Sequence, residues 1–501
     1  MAIPMGALGQ GTFNRNYGPP APMVDVGGCP TTVEYDGHLY FTATRWNTAN
    51  GLISASFTKL NTLGEVIGGT VITDTARGYS PQTFAMCLDH SGFIAGGQRP
   101  IYSYADTFIT GLLIRYDLMG DTLWTREIVI DDSSRNILWL YGLDVDQTGN
   151  IVVAGTIVHD ASPPYNDALG ETYLMKADPN GNKLWEQVYA PLNSQQVYDV
   201  IQISPTSGYF IVGYIREYYD IVHDKLTTFL IKTDGSGNEV AYQDLDLGFS
   251  VGCTNISRTA DNAFVVGGTI APTSGFDYAG SITKMDSSGM IIWDRRYSSH
   301  PQSEYEWISG IVQLADGSFA CSGGSIDTLD FSNEGWIMKV DNNGYLLWER
   351  FFNFNEYPDY FNTITALSDG GILATGNCYD NVGMSNQVWL VKLDSLGCDS
   401  TGCPEAYHTG VPNLRPVDGI YLVVAPNPFK GATEIRWAWP AQARQCQLLI
   451  HDLSGREVLR NALDPNVACG ALHFEAPGSG AYVASLVADG RVVQTMKLVC
   501  E

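Results

Sequence analysis

Basic residues are scarce in this chain: 28 of its 501 residues are Lys or Arg, against 54 Asp or Glu, and only 16% are charged. Sequence-independent affinity for nucleic acid comes from clustered Lys and Arg, so a formal net charge of −26 argues against a phosphate-backbone partner. Long apolar runs are also missing. None approaches the roughly 18 residues a membrane-spanning helix needs. No H-E-x-x-H or Walker-type sequence occurs. The eight histidines (His38, His90, His159, His223, His300, His408, His451 and His473) have no metal-type pairing at short spacing. The expectation is no metal, no cofactor and no catalytic residue, hence a protein that is not an enzyme.

What is abundant is strand-and-turn material: 53 Gly, 23 Pro, 27 Tyr and 11 Trp, with 45% hydrophobic residues. Such composition favours β structure, and the length allows two to four domains. Charge marks the first boundary. Residues 420–501 hold seven basic and seven acidic residues, so the whole excess of acid sits in residues 1–419. Between the two regions, residues 398–419 read as turns and linker. At the other end, Ala7-Leu8-Gly9 before Gln10 has the small residues of a secretory cleavage site, which makes residues 1–9 a signal-peptide remnant.

One pattern recurs seven times: a strand, Lys (once Arg), any residue, Asp (once Asn), two residues, then Gly. The basic slots are Lys59, Arg115, Lys176, Lys232, Lys284, Lys339 and Lys392, spaced 52 to 61 residues apart. In four copies Trp follows the Gly by four residues: Trp124, Trp185, Trp293 and Trp348. A second hairpin precedes each copy, with a tight turn that contains Asp or Asn, as at Tyr35-Asp36-Gly37 and Asp316-Gly317, except at Thr206-Ser-Gly208. Two hairpins per copy make four antiparallel strands, and such units repeated radially are propeller blades. The last copy ends at Gly397 without its outer strand, while Thr12–Tyr17 matches Ile292–Tyr297. The expected fold is therefore all-β: a seven-bladed propeller over residues 10–397, closed by the N-terminal strand, which removes a free edge.

The repeated residues have a structural reading. Lys and Asp two apart share a strand face and so can pair, the Asp suits an Asx turn, and the Trp can pack between blades. The turns share one face, which leaves the long connections on the other as the binding surface. Those connections are residues 99–110, 128–138, 158–171, 189–197, 214–227, 269–279, 298–306, 325–334 and 352–360. The candidate ligand residues near the axial mouth are Trp139, Tyr141, Tyr198, Trp307 and Tyr360, with Glu306 and Asp359. Aromatic faces beside carboxylates suit a glycan or a peptide, although each of these rings is also a plausible cap on the core between blades. The expected role is a non-catalytic binding module for a glycan, peptide or surface partner. The alternatives are a hydrolase or lyase acting on polysaccharide and a structural surface protein.

Ten cysteines in a secreted chain permit disulfides. Cys398 and Cys403 flank a short turn and form the expected bridge, and Cys29 could meet Cys378.

Residues 420–501 contain about seven short strands, as in a small Ig-like β-sandwich. Pro426-Asn427-Pro428, then Asp452-Leu-Ser-Gly455, Gly480-Ala-Tyr482 and a final strand with Lys497 resemble the type A C-terminal sorting domain of the type IX secretion system of Bacteroidota. The resemblance covers the whole region and departs at Cys500-Glu501, where the family ends in apolar and basic residues. It implies a cargo that reaches the periplasm and is then carried across the outer membrane. Its partners would be the translocon and a sortase, and its destination secretion or the cell surface.

Overall fold

The structure is a computed structural model. It describes the chain except residues 1–10, 19–22, 26–30, 101–108, 131–136, 159–169, 190–193, 205, 221–222, 246–249, 272–277, 299–302, 328–332, 354–358, 381–384, 400–420, 426–428, 439–445, 453–455, 464–468, 489–490 and 501. The described residues are strands and turns with no helix. Contacts divide the chain into two compact units, Met1–Arg295 with Gln302–Glu405 and Arg296–Pro301 with Ala406–Glu501.

The first unit opens with β1 (Phe13–Tyr17) and β2 (Met23–Asp25). The first repeat is β3 (Val33–Tyr35), β4 (His38–Asn47), β5 (Ile53–Asn61) and β6 (Val66–Thr73). The second is β7 (Ser80–Met86), β8 (Gly92–Pro100), β9 (Ile109–Asp117) and β10 (Thr122–Ile128). The third is β11 (Ile137–Val145), β12 (Ile151–Val158), β13 (Gly170–Ala177) and β14 (Lys183–Tyr189). The fourth is β15 (Ser194–Gln202), β16 (Tyr209–Asp220), β17 (His223–Thr233) and β18 (Glu239–Leu245). The fifth is β19 (Ser250–Arg258), β20 (Phe264–Ala271), β21 (Ala279–Met285) and β22 (Ile291–Tyr297). The sixth is β23 (Ser303–Gln313), β24 (Phe319–Asp327), β25 (Asn333–Val340) and β26 (Leu346–Phe352). The seventh has β27 (Tyr360–Ala366), β28 (Ile372–Asp380) and β29 (Ser385–Leu393), and its fourth place is taken by β1, antiparallel to β29 from Phe13↔Lys392 to Tyr17↔Val388. Strand β2 then pairs with both β29 and β4, joining the last repeat to the first in one sheet.

Within a repeat, burial follows strand order. The apolar run of β12 is buried at seven of eight positions, as a strand covered on both faces must be, whereas β18 is exposed at six of seven. The pairing Ile151↔Ala177 brings the turn after Asp146 and the turn after Asp178 to the same end.

The Asp of each repeated motif caps its own turn. Asp178 Oδ1 accepts from the backbone N–H groups of Asn180 and Asn182 at 2.9 Å each, and Asp117, Asp234, Asp286, Asp341 and Asp394 do likewise. Both bonds need the chain to reverse within four residues, which Gly181 permits at φ +77°. The expected pairing of Lys with this Asp is corrected. The Lys side chain reaches the turn of the first hairpin instead: Lys176–Asp146 at 2.7 Å, then Lys284–Asp261, Lys339–Asp316 and Lys392–Asp369 at 2.8 Å each. The motif Asp has already committed Oδ1 to two backbone donors, so the ammonium finds its partner across the sheet.

The recurring aromatic sits against the Gly of the next repeat. A Cβ at Gly181 would lie 2.7 Å from the Trp124 ring, at Gly237 2.6 Å from Trp185, at Gly344 2.9 Å from Trp293 and at Gly397 2.8 Å from Trp348. Strand β1 makes the same contact with the first repeat, where a Cβ at Gly64 would meet Tyr17 and Phe13 at 2.8 and 2.9 Å. Other links between repeats recur there too. Gln202 Oε1 accepts from Gln147 N at 3.0 Å and Gln313 Oε1 from Ala260 N at 2.7 Å, and Glu34 Oε2 accepts from Ser368 N at 2.5 Å between the first and seventh repeats.

The expected loop 214–227 is a hairpin, since β16 and β17 pair as far as Asp220↔His223. The alternating apolar and polar residues around Ile215 continue the strand. Of the cysteines, Cys87 and Cys321 are free thiols, and Cys378 and Cys398 are buried. Cys29 and Cys403 lie outside the described residues, so the bridge from Cys398 to Cys403 stays a proposal.

The second unit contains β30 (Tyr421–Ala425), β31 (Ala432–Ala438), β32 (Cys446–Asp452), β33 (Glu457–Leu463), β34 (Cys469–Glu475), β35 (Gly480–Ala488) and β36 (Arg491–Cys500). They form a three-stranded sheet β30-β31-β34 and a four-stranded sheet β33-β32-β35-β36. Leu422, Ile435, Trp437 and Phe474 of the first and Leu448, Ile450, Leu486 and Leu498 of the second share one buried core.

Candidate functional site

The first strands of repeats two to seven carry a bulge at a common place, between Pro81 and Thr83, Leu140 and Gly142, Val197 and Asp199, Cys253 and Asn255, Ile308 and Gly310, and Phe361 and Thr363. A bulge re-aims the side chains beside it. Tyr141 and Tyr198 are the bulged residues of β11 and β15.

Two groups of rings collect here. Tyr141 stacks on Tyr198 at 5.8 Å between centroids, and Tyr198 lies 5.5 Å from Tyr214. Tyr278, Tyr305, Trp307 and Tyr360 form a chain with successive separations of 4.3, 5.6 and 6.2 Å. Burial raises the pKa of Tyr305, and the charges of Tyr278 and Tyr214 add to the rise. Burial raises Tyr141 as well, so both phenols keep their protons at neutral pH. Tyr214 donates to Gln196 Oε1 at 2.6 Å. Of the expected aromatics, Tyr141 and Tyr198 fall in one group and Trp307 and Tyr360 in the other. Trp139 is half-buried on β11.

The expected acids are elsewhere. Glu306 and Asp359 have no exposed surface, which corrects their reading as groups open to a ligand. Strand alternation explains it: Glu306 precedes Trp307 and therefore faces the other side of β23, and Asp359 stands just before Tyr360 at the start of β27. Asp359 Oδ1 accepts from Tyr379 N at 3.2 Å. Among the expected loop residues, 101–108, 131–136, 159–169, 190–193, 221–222, 272–277, 299–302, 328–332 and 354–358 lie outside the described residues.

Two carboxyls that the sequence reading missed are Asp199, next in sequence to Tyr198, and Asp144. Asp199 Oδ1 accepts from Val200 N at 2.8 Å, and Oδ2 accepts from Asn255 Nδ2 at 2.8 Å and Ile256 N at 3.0 Å. Burial pushes its carboxyl up to about 7, with the charge of Asp144 adding to the rise and the amides of Ile256 and Val200 opposing it. Burial also raises Asp144, against the pull of Gln202 N and Arg258. The slot after the bulge makes the same kind of contact in the next repeat, where Asn255 Oδ1 accepts from Ile311 N at 3.2 Å.

The sequence reading also passed over Gly248-Phe-Ser250-Val-Gly252, a Gly-x-Ser-x-Gly run. A nucleophile elbow needs a strand-to-helix turn. Ser250 lies instead in β19, paired with Ala271. Among the described residues no group of three or more His, Cys, Asp or Glu could hold a metal ion. No helix among them is long and apolar enough to cross a membrane.

In the second unit Asp452 Oδ1 accepts from Arg456 N at 3.0 Å, and its Oδ2 pairs with Arg456 Nε at 3.0 Å. Tyr482 is buried and its hydroxyl donates to Gly478 O at 2.6 Å. Gly480 takes φ +149°, and Lys497 lies on β36 opposite Val483. Pro426, Asn427, Pro428 and Gly455 lie outside the described residues.

No family model matches the chain, and no curated protein matches it. Among solved structures it is similar to a puromycin hydrolase, at 12% identity and a TM-score of 0.43 over 82% of this chain and 58% of that one. It is also similar to the β-propeller domain of the Trilobed protease from Pyrococcus furiosus, at 8% identity and a TM-score of 0.41 over 74% of this chain and 96% of that one. A third is a polysaccharide lyase, an ulvan lyase bound to -[GlcA(1-4)Rha3S]-, at 9% identity and a TM-score of 0.47 over 76% of this chain and 95% of that one. The chain thus spans little more than half the length of the hydrolase. These structures are named as a hydrolase, a protease domain and a lyase, which corrects the expectation that the chain is not an enzyme. The described residues are all-β, with four-stranded repeats in the first unit and sheets of three and four strands in the second.

Proposed function

We propose that the first unit is a seven-bladed propeller whose axial mouth binds a polysaccharide and acts on it. The repeated contacts at β1, Gly64 and Glu34 support the ring, since the first and seventh repeats meet as internal repeats do. The observation that carries the functional reading is the pair of ring groups, Tyr141 with Tyr198 and Tyr214, and Tyr305 with Trp307 and Tyr360. Flat rings cover the apolar faces of sugars, and protonated phenols donate hydrogen bonds to hydroxyls. Positioned phenols also serve in general acid–base chemistry. A glycosidase carboxylate pair finds less support: Glu306 and Asp359 are buried, and the Asp199 oxygens are committed to three donors. Elimination on a uronate-containing chain fits better. There a base takes the proton beside the carboxylate, a C=C bond forms as the C–O bond breaks, and an acid protonates the leaving oxygen.

The test is a screen of the full chain on polysaccharides, following reducing ends and ultraviolet absorbance of unsaturated products. Turnover lost in Tyr305→Phe supports the reading. Neither binding nor turnover on any uronate or neutral polysaccharide overturns it.

The second unit we propose to be a type IX sorting domain of sandwich form, carrying the chain to the outer surface. Its ordered motifs and the shared core of its two sheets support this. Deleting residues 420–501 in a Bacteroidota host should leave the protein in the periplasm. Unchanged export would refute the assignment.

A further inference from the structure

Asp199 stands where two repeats meet and where the ring cluster begins. It follows the bulged Tyr198, whose ring stacks on Tyr141, and its carboxylate takes three N–H donors, two of them from β19. An ionised carboxylate satisfies three donors as an acceptor. A protonated one accepts more weakly, above all through its hydroxyl oxygen, so the bonds to these donors loosen.

The neighbouring junction is a built-in comparison. There Asn255 makes the equivalent contact to Ile311 N with a neutral amide that does not titrate. At the corresponding Gly142 and Gly310 no side chain is present, and a Cβ would lie 2.8 Å from Val200 N and 2.9 Å from Ile364 N. Among the positions after the bulges only Asp199 carries a titratable side chain, and the junction of β11 with β15 holds a second carboxyl, Asp144, which accepts from Gln202 N at 2.7 Å. Groups facing Asp199 are few. From β11 Asp144 adds negative charge, and on β19 Asn255 and the Ile256 amide contact it, while Arg258 is directed at Asp144 and donates to the carbonyls of Ile203 and Gln202.

We infer that Asp199 is a proton-operated latch, closed when ionised, that holds β15 against β19 and so fixes Tyr198 in the ring cluster. Burial places its titration near neutrality, at about 7. This regulation rests on the proposed role of the mouth, but its mechanics need no ligand.

Amide hydrogen exchange of the full chain tests it, with protection factors for Val200 and Ile256 measured from pH 5 to pH 8.5. Both should rise several-fold across neutrality, while Ile311, held by Asn255, stays level. In Asp199→Asn the Val200 and Ile256 factors should lose their pH dependence. Asn255→Ala, which removes one donor, should keep the titration but shift its midpoint upward. Level protection at Ile256 in the wild type, or an equal rise at Ile311, overturns the latch. If the latch holds and no polysaccharide binds at either pH, the mouth reading fails and the latch does not.

Discussion

The Tyr17 hydroxyl donates to the carbonyl oxygen of Gly64 at 2.8 Å, and the Tyr189 hydroxyl donates to that of Gly237 at 2.5 Å. The second bond joins the third repeat to the fourth. The first repeats it with a residue from the start of the chain, which makes β1 the functional equivalent of an outer strand. Tyr17→Phe should therefore cost about 1 kcal/mol, close to Tyr189→Phe, when both are measured by urea denaturation. A neutral Tyr17→Phe beside a costly Tyr189→Phe would mean that β1 is only loosely attached.

The turn glycines separate backbone from packing effects. Gly181 and Gly317 both have positive φ, at +77° and +84°, but a Cβ meets Trp124 at the first and nothing within 4 Å at the second. Gly317→Ala should cost about 1 kcal/mol from backbone strain alone, and Gly181→Ala roughly 1–3 kcal/mol more from overpacking. In Trp124→Ala the added cost at Gly181 should vanish, and a double-mutant cycle of melting curves measures that coupling.

Acid should loosen the hairpin turns before it affects the rest. Hydrogen bonds from Lys176, Lys284 and Lys339 hold Asp146, Asp261 and Asp316 at about 2, although burial opposes this at Asp146 and Asp316. A carboxyl depressed on folding contributes stability that is present above the ordinary carboxylate range and lost as pH falls toward 2. Asp261 and Asp316 are largely exposed, so solvent screens them and Asp146 should account for most of the effect. Stability measured from pH 5 to pH 2 should fall, and Asp146→Asn should flatten that fall more than Asp316→Asn.

Ligand residues and packing residues should part company. Trp307→Ala and Tyr198→Ala should weaken binding to any polysaccharide the screen finds by ten-fold or more, with melting temperature little changed. Glu306→Gln should leave binding intact and lower the melting temperature, as expected for a buried group. Binding lost in Glu306→Gln at unchanged stability would restore its reading as a ligand residue.

Much of the first unit was legible because its signals are local. An Asx turn closed by Gly needs only five residues, so seven copies announced seven hairpins. The Lys partners were not legible, because Lys284 reaches Asp261 across the sheet while Asp286 stands two residues away. Alternation from Trp307 already set Glu306 on the opposite face, and that signal was overlooked. The bulge before Asp199 was hidden, since a register shift depends on the partner strand rather than on any residue in β15.

The account depends above all on the first repeat meeting the seventh. Cysteines placed by Glu34→Cys and Ser368→Cys test this directly, with Gln313→Cys and Ala260→Cys as the internal counterpart. Under mild oxidation, and with bridges located by peptide mass spectrometry, both pairs should cross-link within one chain to a similar extent. A bridge at the internal pair, with none at Glu34→Cys and Ser368→Cys or only one between separate chains, would contradict the closed ring.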